Sequence, residues 1–216
     1  MEGLFLKIIP LDFAATLSPG ILALAIVLLG SKNYPKIKTI ALFVGILAVG
    51  IIIAILGFTL GKAATLNQRP TQLSSVIDLV IGIIFLVFAL KILFTKEKRR
   101  KIKEDEGMHF AKWLFVGVII AATNLDALFL SFTAGKLVGE SNVNDLIKLI
   151  WLIINIFFFT LPVTLPIFFY LITPKLASRL LSKLNRIVLK YNRFILAAIF
   201  IIFGVLLSYK GIKFLL

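Results

Sequence analysis

The chain has no cysteine, one histidine, two tryptophans and only ten acidic residues among 216. Without cysteine there are no disulfides, thiolate metal sites or thiol relays, and a single histidine leaves little for a zinc hydrolase. Charge as a whole is scarce: 16% of residues carry it, 60% are hydrophobic, and the mean hydropathy is +1.06. That composition excludes a soluble domain. The charge that exists is lopsided, with Lys+Arg 24 and a formal net charge of +14. In a soluble protein this would suggest nucleic acid. In so apolar a chain it points to loops facing an anionic leaflet, so membrane lipids are the expected partners and nucleic acid is not. No Ser/His arrangement or paired carboxylates at catalytic spacing occurs, so no enzyme and no cofactor are expected.

Apolar stretches of about 20 residues, each enough to cross a hydrocarbon core about 30 Å thick, number six. They read as 4–30, 39–61, 74–94, 112–139, 146–172 and 194–216. The first resembles a signal peptide only in position: it carries Asp12, lacks a basic start and a small-x-small cleavage site, and is too long, so it is expected to be retained. Connections 31–38, 95–112 and 173–193 together hold sixteen Lys/Arg, against seven on the opposite side. That excess places the three basic connections in the cytoplasm and both termini outside a plasma membrane. Lys91, near the end of its span, can snorkel toward the basic side.

Two connections carry patterns. Residues 95–111 hold a basic run, the acidic triplet Glu104, Asp105 and Glu106, and the one histidine, His109, and read as a solvated linker. In segment 174–193, Lys175, Arg179, Lys183, Arg186, Lys190 and Arg193 fall on an arc of about 80° at about 100° per residue. Leu176, Leu180, Leu184, Ile187 and Tyr191 fill the neighbouring arc. A cationic stripe beside a leucine stripe predicts an amphipathic helix in the cytoplasmic headgroup region, before the last span. The stripe reads either as a positive-inside anchor or as a site for anionic lipid headgroups.

The chain divides into halves of similar layout, 1–94 and 112–216, each of three spans and each opening on an imperfect one. In the first half the imperfection is Thr16-Leu17-Ser18-Pro19-Gly20; in the second it is Thr123-Asn124-Leu125-Asp126. Three is odd, so the halves run in opposite directions. Inverted repeats with broken helices at the midplane are a plan of secondary transporters, whose substrate sites lie where the breaks meet. Ser18 before Pro19 reads as an N-cap and first helical residue, so a half-helix is expected to start at Pro19 and turn its N-terminal N–H groups toward an anionic substrate. Asn124 reads as the matching cap, and Asp126 in the first turn as a proton or cation site.

The fold expected is therefore all-α and polytopic: six transmembrane helices as two inverted three-helix repeats, broken in the first and fourth, with the amphipathic helix before the sixth. Candidate substrate residues are Ser18, Pro19, Gly20, Thr123 and Asn124, joined by Thr160, Pro162, Thr164 and Pro166, whose paired prolines free backbone carbonyls in the fifth span. Asp126 is the expected coupling residue, with Asp12 second because it lies nearer the outer end of its span. Asp78, close to the start of its span, reads as structural. Gly57 with Gly61, and Gly204 with Ser208, have the small-x-x-x-small spacing of close helix contacts.

Longer stretches carry a resemblance. Leu11-Asp12-Phe13-Ala14-Ala15-Thr16-Leu17-Ser18-Pro19-Gly20, Leu28-Leu29-Gly30-Ser31-Lys32-Asn33 and Phe43-Val44-Gly45 open the chain. Leu165-Pro166, Tyr170-Leu171, Pro174, Tyr191-Asn192-Arg193, Gly204-Val205-Leu206-Leu207 and Gly211 close it. In this order they resemble the GAP family, the peptidoglycolipid or sulfolipid-1 addressing proteins, within the superfamily of the lysine exporter. The resemblance implies six spans and export of a molecule from the plasma membrane, with glycolipids proposed for the named members. At the second break this chain departs from the Asn-Pro-Lys common in that superfamily. Its Asn124-Leu125-Asp126 is closer to the Asn-x-Asp of cadmium-type exporters, without their doubled aspartate because Ala127 follows.

The leading expectation is a secondary exporter of an amphiphilic, lipid-linked or small anionic substrate, working by alternating access and coupled to a proton or cation. No nucleotide-binding loop is present to supply ATP. A divalent metal-ion exporter of the cadmium or manganese type, drawing on Asp12, Asp78 and Asp126, is the first alternative. A non-transporting membrane partner of a lipid-processing enzyme is the second. A homo-oligomer is left open.

Overall fold

A computed structural model describes residues 2–65, 72–94, 110–172 and 174–215; side chains at 2, 65, 72–74, 174–180, 182, 184, 185, 189, 214 and 215 are not described. All the described secondary structure is helical. Helices α1 (Glu2–Ala15) and α2 (Pro19–Leu29) form one bent pair, α5 (Phe110–Thr123) and α6 (Leu125–Glu140) another. The remaining elements are α3 (Pro35–Thr65), α4 (Gln72–Phe94), α7 (Asp145–Ile172) and α8 (Pro174–Leu215). Four helices are long and apolar enough to cross a membrane, and six spans result if each bent pair counts as one. The bends are 51° for α1/α2 and 75° for α5/α6. Such a chain is a multi-pass membrane protein.

The starts and stops follow from local chemistry. Proline opens α2, α3 and α8, where a missing N–H costs nothing and φ is already helical. The Asn144 side chain accepts the Ile147 N–H at 2.8 Å and so starts α7. Pro162 and Pro166 do not unwind α7, which runs unbroken through both. There the Thr160 hydroxyl donates back to the Ile156 and Phe157 carbonyls at 3.1 and 3.0 Å, and Thr164 to the Thr160 carbonyl at 3.1 Å. Neighbouring helices tolerate the prolines because α7 packs on α2, α3 and α6.

The amphipathic segment and the last span are one element rather than two. Between Lys175 and Phe203 the sequence has neither glycine nor proline, so nothing interrupts the hydrogen bonding and α8 extends over 42 residues. At 1.5 Å per residue that is about 63 Å, longer than a bilayer with its headgroups. The basic half therefore continues out of the last span without the break that a separate helix in the headgroup plane would need.

Packing is governed by small residues. A Cβ on Gly57 would lie 2.2 Å from the Phe132 carbonyl oxygen, and one on Gly61 2.1 Å from that of Lys136. From the other side, Gly139 would meet the Phe58 oxygen at 2.3 Å. Thus α3 and α6 interlock through two glycine pairs, Gly57/Gly61 and Gly135/Gly139, with backbones in contact. Helices α4 and α8 do the same where Gly82 faces Gly204 and Ser208. Both spacings singled out in the sequence are thus used for close approach. Outward, Val76, Val80, Ile83, Val87, Leu90 and Phe94 make an exposed stripe along α4, as lipid contact requires.

Gly61→Val is expected to lower the unfolding free energy in detergent by about 1–3 kcal/mol, because the new side chain collides with backbone that cannot swing aside. Gly20→Ala, whose added Cβ meets nothing within 4 Å, is expected to be neutral or slightly stabilising. Thermal unfolding of both variants followed by circular dichroism checks the contrast.

Candidate functional site

The two helix breaks meet. Asn124, between α5 and α6, donates from Nδ2 to the Ser18 hydroxyl between α1 and α2 at 2.7 Å, joining positions 106 apart in sequence. Both residues stand at the expected N-cap positions, yet neither side chain caps its own helix. The Ser18 hydroxyl donates instead to the Ala15 carbonyl at 3.3 Å, while the backbone alone closes the first turn through Leu22 N–H to the Ser18 oxygen at 3.0 Å. The α2 terminus thus keeps N–H groups that no side-chain cap has taken. Pro19 is buried and Gly20 exposed. Thr123 is exposed and returns its hydroxyl to the Ile119 carbonyl at 2.8 Å.

Two turns along α6 from Asn124 lies a second polar centre. Asn155 of α7 donates from Nδ2 to Asp12 Oδ1 at 2.6 Å, and its Oδ1 accepts the Ser131 hydroxyl at 2.8 Å. Asp12 and Ser131 are wholly buried and Asn155 is 1% exposed. Among the described residues no cationic side chain pairs with Asp12, and its Oδ2 has no hydrogen-bond partner. The sequence placed Asp12 near the outer end of its span, in reach of water or a basic residue. The structure instead seats it against the middle of α6, because the break after Ala15 ends α1 inside the molecule. Asn155 and Ser131 were not among the candidates; an asparagine within a long apolar helix was the available signal.

The third centre is a ring of ion pairs. Lys136 bonds Asp78 Oδ1 and Glu140 Oε1; Lys210 bonds Asp78 Oδ2 at 2.9 Å and Glu140 Oε2 at 2.8 Å. Two lysines and two carboxylates cancel, which is how α4, α6 and α8 hold four charges within the apolar body. The Lys136 and Asp78 side chains are 2% and 1% exposed. Asp78 is thus held between two lysines, partners that the sequence reading missed. Lys136 with Glu140 at i+4 inside an apolar run was the legible sign.

The other candidates are dispersed. Asp126 is half-buried at the start of α6, within electrostatic reach of Lys91. Among the described residues no group of three His, Asp or Glu converges as a metal site would need, and the three intramembrane aspartates go to three different places. Pro162 and Pro166 are buried on the α7 face that also carries Asn155, Thr160 is buried on another side of the helix, and Thr164 is half-buried. Lys183, Arg186 and Lys190 are exposed and Arg193 half-buried, with Lys190 Nζ 5.1 Å from the Tyr191 ring centroid. The side chains of Lys175 and Arg179, and the linker 95–109 with His109, lie outside the described residues.

Interrupted spans whose breaks touch, with a buried carboxylate beside them, define a membrane protein built around an internal polar centre. The chain belongs to the family described as Sap, sulfolipid-1-addressing protein, whose model matches residues 8–213. No curated protein and no solved structure matches it.

Lys136→Met is expected to destabilise the protein by about 3–5 kcal/mol, since it strands carboxylates in the apolar interior. Adding Asp78→Leu to that variant, which leaves Glu140 paired with Lys210 and strands no carboxylate of α4, is expected to restore most of the loss. Denaturant titration in mixed micelles measures both; equal stability of the single and double variants would contradict the ring.

Proposed function

We propose that the chain is a secondary exporter that moves an anionic amphiphile, of the sulfolipid kind that names its family, by alternating access of two inverted three-span halves. The observation that carries this reading is the Ser18–Asn124 hydrogen bond, which joins the two broken spans at one point inside the apolar body. The uncapped start of α2 offers N–H groups and the positive end of a helix dipole to a sulfate or other anionic head group. Residues 1–94 and 112–216 are the two halves, the basic connections face the cytoplasm of a plasma membrane, and both termini lie outside. The two broken helices support the further reading that the chain is a member of the lysine exporter superfamily, and catalysis has no part in it.

The coupling residue is Asp12 rather than Asp126. Asp12 is completely buried, is held by one asparagine and, among the described residues, has no cationic partner, so it can exchange a proton or cation only when a path to water opens. Asp126, by contrast, is only half-buried at the start of α6. A metal-ion exporter loses its support, because Asp12, Asp78 and Asp126 do not converge.

Proteoliposomes carrying a fluorescent sulfatide, with an imposed pH gradient and leaflet distribution read by dithionite quenching, test this directly. Wild type is expected to drive asymmetry, Asp12→Asn to fall to the protein-free rate, and Asp126→Asn to retain gradient-driven transport. Undiminished gradient-driven flux in Asp12→Asn overturns the coupling assignment. No flux by the purified wild type overturns the exporter, in favour of a membrane partner for a lipid-processing enzyme.

A further inference from the structure

Helix α6 meets its neighbours in two different ways. On α3 it packs backbone to backbone through glycine, but among the described residues its backbone scarcely approaches α4 or α8. That second seam is spanned by side chains, in antiparallel register. At one end Lys91 of α4 and Asp126 of α6 come within electrostatic reach of each other without forming an ion pair. Further along, the Phe88 ring meets Phe129 edge to face with centroids 5.6 Å apart, and behind them Phe200 of α8 meets Phe88 and Phe85, also edge to face, at 5.8 and 4.9 Å. At the other end stands the ring of Asp78, Lys136, Glu140 and Lys210.

We propose that this seam is the binding site of a single anionic amphiphile, its acyl chain between Phe88 and Phe129 and its head group on Lys136 and Lys210. A seam crossed only by side chains opens without breaking any glycine-mediated helix contact. The phenylalanines form no hydrogen bonds that an entering chain would leave unmet, and edge-to-face contacts exchange readily for contacts with methylenes. On both sides lies lipid-facing surface, including Val87 and Leu90 of α4 and Leu125 of α6, so an acyl chain reaches the seam sideways from the bilayer.

The ring makes the site selective for negative charge. Pulling the lysines from their carboxylates strands four charges in a medium of low dielectric constant, which keeps the seam shut when no ligand is present. An anionic head group supplies oxygens that replace one carboxylate on both lysines. Glu140 is the one displaced: it ends α6 and its side chain is 14% exposed, against 1% for Asp78. Lys210, with its side chain 35% exposed, is the member that first meets the head group. A zwitterionic head group brings its own cation to the same place and gains less. That the bound amphiphile is the transported molecule rests on the exporter reading; the site itself does not.

Phe129→Trp in liposomes, read against the wild-type tryptophan background, reports occupancy through quenching by brominated acyl chains. Brominated phosphatidylglycerol is expected to quench more effectively than brominated phosphatidylcholine at equal mole fraction, by a factor on the order of five, the effect of about one lysine contact with an anionic lipid. Lys210→Gln is expected to abolish that preference and Lys210→Arg to keep it. Val87→Trp, on the lipid-facing side of α4, is expected to show none. Equal quenching by the two lipids at Phe129→Trp, or a preference that survives Lys210→Gln, overturns the site. A head-group preference here in protein that moves no sulfatide under a pH gradient would sink the exporter and leave this site standing.

Discussion

Hydrocarbon offers no hydrogen bonds, so every polar group carried into it must be answered by the protein itself, and here the answers converge on α6. Asn124 at its start takes up Ser18 from the other broken span. Ser131 holds Asn155, and Asn155 holds Asp12. Lys136 and Glu140 complete a neutral ring with charges from α4 and α8. At about 100° per residue, Asn124 and Ser131 share one face of α6, while Lys136 and Glu140 share nearly the opposite one. Gly135 and Gly139 let α3 lie directly against the helix between them. A helix burdened in this way is stable only when enclosed, which explains why so polar a segment is also one of the most buried.

The two polar faces of α6 divide the molecule. Toward α1 and α7 lies an uncharged-partner centre in which a single carboxylate is held by an asparagine. Toward α4 and α8 lies a charged but balanced one, sealed in its middle by phenylalanine rings. In the proposed exporter these are complementary duties: the first face carries the coupling carboxylate and the α2 terminus offered to the transported head group, and the second admits the amphiphile from the side. Both act on the same rigid helix, which gives the physical means for one event to be felt by the other.

Much of this was legible before any coordinates. Apolar run lengths led to the helices, and Ser18-Pro19 and Asn124 marked both breaks to the residue, because proline and short polar side chains have few uses within a membrane helix. What failed was pairing. Ser18 and Asn124 were read as caps for their own helices, a local solution, whereas each found a partner across the molecule. Asp12 was ranked by its distance from the chain end, but a bend of 51° redirects α1 and that distance no longer measures depth. The long α8 shows the converse: a local signal for a separate surface helix gave way to an uninterrupted helix-forming run.

The central claim is that the two breaks touch inside the protein. The chain has no cysteine of its own, so Ser18→Cys with Asn124→Cys introduces a single pair of thiols. Oxidation in native membranes is predicted to join them in high yield, shown by a mobility shift that reductant reverses. Free thiols after oxidation, in protein that still resists unfolding as wild type does, would place the breaks apart and contradict the account.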